Sequence, residues 1–169
     1  MSTLLAAEGG YQIFDLGSTE KLLLALCMGV AVLALIAGGA MMRSVLAKDA
    51  GTEKMGEIAG AVQEGAMAYI KRQFRTILLI VVPLAAVVFA TSTEVLNPDG
   101  PGGLDRVPSG LYRTLAFLLG AAFSGFIGFL GMWLATRANV RTAAAAKTGS
   151  MDAALQVAFR AGGTIGLFT

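Results

Sequence analysis

The chain has no histidine, a single cysteine and little charge for its length. Without histidine it lacks the commonest general base and metal ligand of enzyme sites. With Cys27 alone, no disulfide can form within the chain. Of its 169 residues 14% are charged and 56% are hydrophobic, whereas about a quarter of the residues in ordinary soluble domains are charged. This composition indicates a membrane protein.

The motifs of common catalytic sites are also missing. The sequence has no glycine-rich phosphate loop ending in lysine, no H-E-x-x-H, no C-x-x-C and no nucleophile elbow. Its net charge of +2 is too small to indicate a nucleic acid as partner. The function must therefore be sought in the arrangement of apolar and basic segments.

Three charge-free stretches are long enough to cross a bilayer; they cover residues 22–42, 76–93 and 114–136. We place the spans at about 21–42, 76–93 and 112–136, with a further helix beginning at about residue 151. The first stretch is too long for a signal peptide, and residues 1–10 contain no basic residue, so we expect it to be retained. The predicted fold class is an all-α integral membrane bundle with three complete transmembrane helices and the start of a fourth.

The second span is predicted to begin outside the membrane. Between Glu53 and Arg75, apolar residues recur at three- and four-residue steps, as on one face of a helix. No turn separates this segment from the charge-free stretch, whose length of about 27 Å matches a bilayer core. We therefore predict one long helix with an extension over 53–75, N-capped by Thr52 and bent at Pro83.

The basic residues indicate the orientation in the membrane. Ten of the 13 lysines and arginines lie between the first two spans or after the third. The other three are Lys21, Arg106 and Arg113. The positive-inside rule then predicts a multi-pass protein of the cell membrane, with the N-terminus outside and loops 43–75 and 137–150 in the cytoplasm. The proline- and glycine-rich stretch 97–103 is predicted to be an outer loop.

Several charged residues are candidates for function. Asp49, Glu53 and Glu57 follow one another at four-residue spacing and could share a magnesium ion, but a solvated acidic stripe explains them better. Arg160 falls where the fourth helix enters the membrane, which makes it a functional candidate; we favour snorkelling or structural pairing. Arg137 and Arg141 are interpreted as interfacial anchors.

Two further groups on the helices are interpreted as packing features. Glu64, beside Gln63 on the cytoplasmic extension, has no cation at helical spacing, so a partner on another helix is expected. Small residues share one face of the third span, where another helix can approach closely: Ala121, Ser124, Gly125, Gly128, Gly131 and Ala135.

Three blocks of sequence together carry a likeness to a known family. The first runs from M-G-E-I-A at 55–59 through V-Q-E-G-A at 62–66 to Tyr69 and R-Q-F at 72–74. The second joins G-F-I-G at 125–128 to A-N-V-R-T-A at 138–143, and the third is A-F-R-A-G at 158–162. In order and topology these blocks resemble the membrane-integral, ion-pumping inorganic pyrophosphatases.

The resemblance implies a homodimeric, multi-span pump in the lipid bilayer that hydrolyses inorganic pyrophosphate with magnesium and moves protons or sodium outward, with potassium dependence left open. The family's aspartate-rich and lysine-bearing site motifs lie on later helices and are not found here. We therefore assign no catalytic, cofactor-binding, metal-binding or gating residue, and expect the isolated chain to be inactive. Residues 1–169 are interpreted as the N-terminal part of one larger transmembrane domain. Gly56, Gly60 and Gly65 are then expected to allow close packing of the extension.

Two alternatives belong to other functional classes. One alternative is a complete, non-catalytic membrane scaffold or assembly subunit, but no cap or basic flank follows the fourth helix at Thr169, so we expect a truncated sequence. A fragment of a secondary transporter is less well supported, because the three charge-free spans carry no buried acidic residue.

Overall fold

The structure, a computed structural model, describes residues 17–95 and 103–169. These residues form four helices: α1 (Ser18–Leu46), α2 (Glu53–Ala90), α3 (Arg106–Lys147) and α4 (Met151–Phe168). By length and composition α1, α2 and α3 can each cross a membrane. The predicted all-α membrane fold with three spans and a fourth helix is confirmed. Residues 1–10 and all of the predicted outer loop except Gly103 lie outside the described residues.

The bounds of α1, α2 and α3 differ from the predicted ones, and α1 is longer than its predicted span at both ends. Helix α2 begins at Glu53 as predicted and ends at Ala90, within the predicted span. Helix α3 continues to Lys147, so most of the segment 137–150, predicted as a cytoplasmic connection without an assigned conformation, is helical. The alanine run at 143–146 explains the difference, because alanine is the strongest helix former. Helix α3, like α2, therefore extends several turns past its charge-free stretch on the basic side.

The end of α2 is closed by hydrogen bonds from polar side chains. The hydroxyls of Thr91 and Ser92 donate to the carbonyls of Val87 and Val88 at 2.8 and 2.7 Å. Arg106 reaches back from the start of α3, and its Nη2 donates to the carbonyl of Ala90 at 2.8 Å. The last carbonyls of a helix have no intrahelical partner, so these donors stabilise the helix end.

The end of α2 and the start of α3 lie in close contact. Val95 and Leu104 form an antiparallel bridge with N–O distances of 2.8 and 2.9 Å. A Cβ placed on Gly110 would lie 3.0 Å from Cδ2 of Phe89 and 3.3 Å from its carbonyl oxygen. Glycine at this position is what lets the two helices approach.

The described residues divide into two compact units, one of 17–20, 75–95 and 103–123, the other of 21–74 and 124–169. The second unit contains a hydrophobic core in which α1, α3 and α4 meet; it consists of Val45, Leu134, Ala138 and Val157. Leu134 and Val45 are almost fully buried, at 0% and 1% exposure. Their burial packs α1, α3 and α4 together in the second unit.

Two glycine turns lead into α2 and α4. Gly51 and Gly149 have φ values of 86° and 84°, in the left-handed region that favours glycine. After Gly51, the carbonyl of Thr52 accepts the first helical bond from the nitrogen of Gly56 at 3.0 Å, which confirms Thr52 at the N-cap position. After Gly149, the hydroxyl of Ser150 accepts from the nitrogen of Ala153 at 3.2 Å and caps α4.

Replacing the two turn glycines with alanine is expected to have unequal effects. Gly149→Ala introduces only the strained φ and should lower the free energy of unfolding by about 1 kcal/mol, because nothing lies within 4 Å of a Cβ there. Gly51→Ala adds contacts of 2.7 Å to Sδ of Met55 and 3.1 Å to Cβ of Ala144, so its loss should be larger by roughly 1 kcal/mol or more. Denaturant unfolding of the full-length protein in detergent measures both, and equal losses would contradict this packing.

Candidate functional site at the basic ends of the helices

Four helix ends lie close together in the second unit. Helix α1 ends at Leu46 and α3 at Lys147, while α2 begins at Glu53 and α4 at Met151. We call this region, residues 43–52 and 137–153, the basic junction, because it contains Arg43, Lys48, Arg137, Arg141 and Lys147. It brings together residues that are distant in sequence.

Arg141 joins α3 to the end of α1. Its Nε donates to the carbonyls of Leu46 and Lys48 at 3.2 and 3.0 Å, and its Nη1 donates to the carbonyl of Arg137 at 2.8 Å. Two of these acceptors belong to the end of α1, where carbonyls lack helical partners. Hydrogen bonds from a charged donor are the stronger kind. Sequence analysis assigned Arg141 to the membrane interface and missed this contact.

Arg137, the neighbouring arginine one turn earlier, stays on its own helix. Its Nη1 donates to the carbonyl of Trp133 at 3.2 Å, and its guanidinium carbon lies 4.3 Å from the centroid of the Trp133 ring. This is cation–π geometry. Trp133 in turn packs against the hydrophobic core. Arg137 therefore contacts the core of the second unit only through Trp133.

Arg160 pairs with α1. Its Nη1 donates to Oγ of Ser44 at 2.6 Å, although the arginine side chain is exposed overall. Structural pairing, one of the two explanations favoured from sequence, is therefore observed. No pattern in the sequence indicated Ser44 as the partner of Arg160.

The acidic candidates do not come together. Oδ1 of Asp49 accepts from the nitrogen of Gly51 at 3.0 Å, which stabilises the turn before α2. Within residues 17–95 and 103–169, no three histidine, cysteine, aspartate or glutamate side chains are grouped so that they could hold a metal ion. Asp49, Glu53 and Glu57 are therefore not grouped as a shared magnesium site would require.

The predicted small-residue face of α3 is used in part. A Cβ on Gly131 would lie 3.8 Å from Cγ2 of Ile165 in α4, whereas nothing lies within 4 Å at Gly125 or Gly128. The extension of α2 likewise has open space at Gly56, Gly60 and Gly65, so their proposed role in packing stays a prediction. Close approaches to other segments occur instead at Gly38, Gly51 and Gly110.

The contacts of the basic junction are structural in kind. Arg141 donates to carbonyls at the end of α1, and Ser44 accepts from Arg160 of α4. The carboxylates of Asp49 and Asp152 accept from the backbone of Gly51 and from the side chain of Gln156. Such an arrangement fixes helix ends against one another and supplies positive charge. The assignment of no catalytic residue to this chain stays a prediction.

Comparison with known proteins relates the sequence to a family. The family model described as "Inorganic H+ pyrophosphatase" matches residues 32–169. Among curated proteins, the chain is 39% identical over 163 residues to a K(+)-insensitive pyrophosphate-energized proton pump of Streptomyces coelicolor, which covers 89% of this chain and 19% of that protein.

Similar proteins occur in distant organisms. Over 162 residues the chain is 36% identical to pyrophosphate-energized membrane proton pump 3 of Arabidopsis thaliana, covering 95% of this chain and 20% of that protein. A K(+)-insensitive pyrophosphate-energized proton pump of Methanosarcina mazei is 40% identical over 125 residues, with 74% and 16% covered. The chain thus spans about a fifth of the length of the curated relatives it matches.

Proposed function

The chain belongs to the inorganic H+ pyrophosphatase family, and we propose that it forms the N-terminal part of a pump that couples pyrophosphate hydrolysis to proton transport. The observation that carries this proposal is the family match over residues 32–169. The three membrane-spanning helices agree with it. Protons are favoured over sodium, and independence of potassium over dependence, because the relatives' names state both.

The chemistry of the reaction is assigned to residues outside this chain. Pyrophosphate is a polyanion whose hydrolysis needs metal ions and positioned carboxylates, and the described residues offer no such group. Magnesium, implied by the family, would therefore be held elsewhere in the full-length protein. The same holds for the groups that select and gate the transported ion.

The role of residues 17–95 and 103–169 is then to fix helices that pass from the bilayer to the side of the reaction. Helices α2 and α3 both continue past their charge-free stretches on the basic side. Arg141 and Arg160 hold the end of α1 against α3 and α4 there. A stiff connection of this kind lets a change at the hydrolytic site act on helices inside the membrane.

The arrangement in the cell is also part of the proposal. We place these helices in one multi-span domain of the cell membrane, with the N-terminus outside and the basic junction in the cytoplasm. The support is the excess of lysine and arginine on that side of the three spans. A homodimer, as the family resemblance implies, completes the assembly.

Inverted membrane vesicles containing the full-length protein test the proposal. We expect addition of magnesium pyrophosphate to acidify their interior without potassium or sodium, and expect residues 1–169 alone to produce no acidification. Acidification that required sodium or potassium would contradict the assigned ion preference, and its complete absence would contradict the pump. Phosphate release by purified residues 1–169 would show that the catalytic residues were assigned to the wrong part of the protein.

A further inference from the structure

The basic junction lines an open cavity of about 600 Å³ between the 47–52 connection, the end of α3 and the start of α4. This volume lies in the range of small-ligand sites. Three cationic side chains, Lys48, Arg141 and Lys147, contribute to its lining, against one carboxylate, Asp49. No function described so far uses this cavity.

The charges of the lining leave a positive excess. The hydrogen bonds of Arg141 go to backbone carbonyls, which carry no net charge, and Asp49 accepts from the backbone of Gly51. A concave surface with cations of one sign concentrates anions. The first turns of α2 and α4 border the cavity through Thr52 and Ala153, and the positive ends of their helix dipoles add to the attraction.

The position of the cavity relative to the bilayer identifies the nearest anions. The charge-free stretch of α3 ends at Thr136, so Arg141 lies about 7 Å further along the helix. Lys48 follows the end of α1 directly. Polar headgroups form a layer of roughly 5 to 7 Å on each side of the hydrocarbon core. Arg141 and Lys48 therefore lie at the level of the lipid phosphates.

We propose that this cavity binds a phosphate-bearing anion, supplied by the headgroup of an anionic phospholipid, through Lys48 and Lys147 with Arg141 between them. Basic pockets between membrane helices on the cytoplasmic side are known to suit such headgroups. The bound lipid would neutralise the junction and hold the 47–52 connection against the end of α3. This inference does not depend on hydrolysis or pumping.

Native mass spectrometry of the detergent-purified full-length protein tests the site. We expect cardiolipin or phosphatidylglycerol to remain bound in preference to phosphatidylcholine, and the double variant K48Q/K147Q to weaken that binding about thirtyfold, the effect of two cations near the membrane surface. Arg141 is kept, because it also holds the end of α1. The matched control is R43Q/K71Q, which removes the same charge on the basic side of the spans from exposed residues that do not line the cavity.

The control and a competition experiment decide between explanations. Unchanged lipid binding by R43Q/K71Q supports a defined site, while equal losses in both double variants would show general surface attraction and overturn it. If millimolar inorganic phosphate displaces the lipid, and displaces less of it from K48Q/K147Q, recognition of the phosphate group is supported. Binding of inorganic phosphate without any preference for anionic lipid would show that the headgroup is the wrong source.

Discussion

Replacing Arg141 with methionine is expected to release the end of α1 and to lower the local stability of that end by about 2 kcal/mol. This loss is smaller than the sum of the charged hydrogen bonds of Arg141, because the arginine is half-exposed. Methionine keeps the length of the side chain but donates nothing. The carbonyls of Leu46 and Lys48 then lose the donor that now lies at 3.2 and 3.0 Å. The effect is local because the hydrophobic core of the second unit remains.

Hydrogen–deuterium exchange of the full-length protein measures this release. A loss of about 2 kcal/mol corresponds to about thirtyfold faster exchange where opening is local. We expect it at the amides of Ala47 and Lys48, which are hydrogen-bonded to carbonyls of α1. Arg141→Lys keeps the charge but not the planar guanidinium, so it should retain only part of the protection.

A matched variant separates the contact from the charge. Arg137→Met removes the same charge one turn away, from a side chain that bonds within α3 and stacks on Trp133. It should leave exchange at Ala47 and Lys48 unchanged. Equal acceleration in the Arg137 and Arg141 variants would show that positive charge, rather than the two carbonyl contacts, stabilises the end of α1.

These arginines show where sequence reasoning succeeds and where it stops. The spans, the start of α2 and the turn before α4 follow from local signals: charge-free length, apolar period and a glycine followed by a capping residue. The contacts of Arg141 lie 93 and 95 positions away, and that of Arg160 lies 116 positions away. No local pattern specifies partners at that separation.

The sequence prediction left the conformation of residues 137–147 open for a related reason. The positive-inside rule places charges relative to the bilayer, but it does not determine whether the segment is helical. Helix propensity of the alanine run favours continuation of α3, and the contacts of Arg141 require it, because they depend on its position one turn after Arg137. The family resemblance included Arg141 and Arg160 without indicating what either side chain contacts.

Glycine illustrates the same limit. The sequence singles out Gly56, Gly60 and Gly65 by their position on one long helix, yet the described residues leave open space there. Gly38 carries no comparable signal, although it is buried. Its importance appears only when α4 is in place, because the contact is with Phe168 near the end of that helix.

Gly38→Leu is accordingly expected to separate α1 from α4 and to cost about 1 to 3 kcal/mol in the free energy of unfolding, the usual range for overpacking. Even the first carbon of a side chain would lie 2.7 Å from Cε1 and 3.0 Å from Cδ1 of Phe168, and 3.4 Å from Cβ of Leu167. Real Cβ atoms do not approach so closely, so either the ring or the helix must move. Denaturant unfolding in detergent measures the loss.

Two further variants test whether Phe168 is the cause. Gly39→Leu, one position along, places its side chain where nothing lies within 4 Å, and the higher helix propensity of leucine should make it neutral or slightly stabilising. Phe168→Leu combined with Gly38→Leu should recover part of the loss, giving a favourable coupling energy in a double-mutant cycle. If the two effects simply add, the obstacle at Gly38 is not the Phe168 ring, and the packing of α4 on α1 differs from the one described.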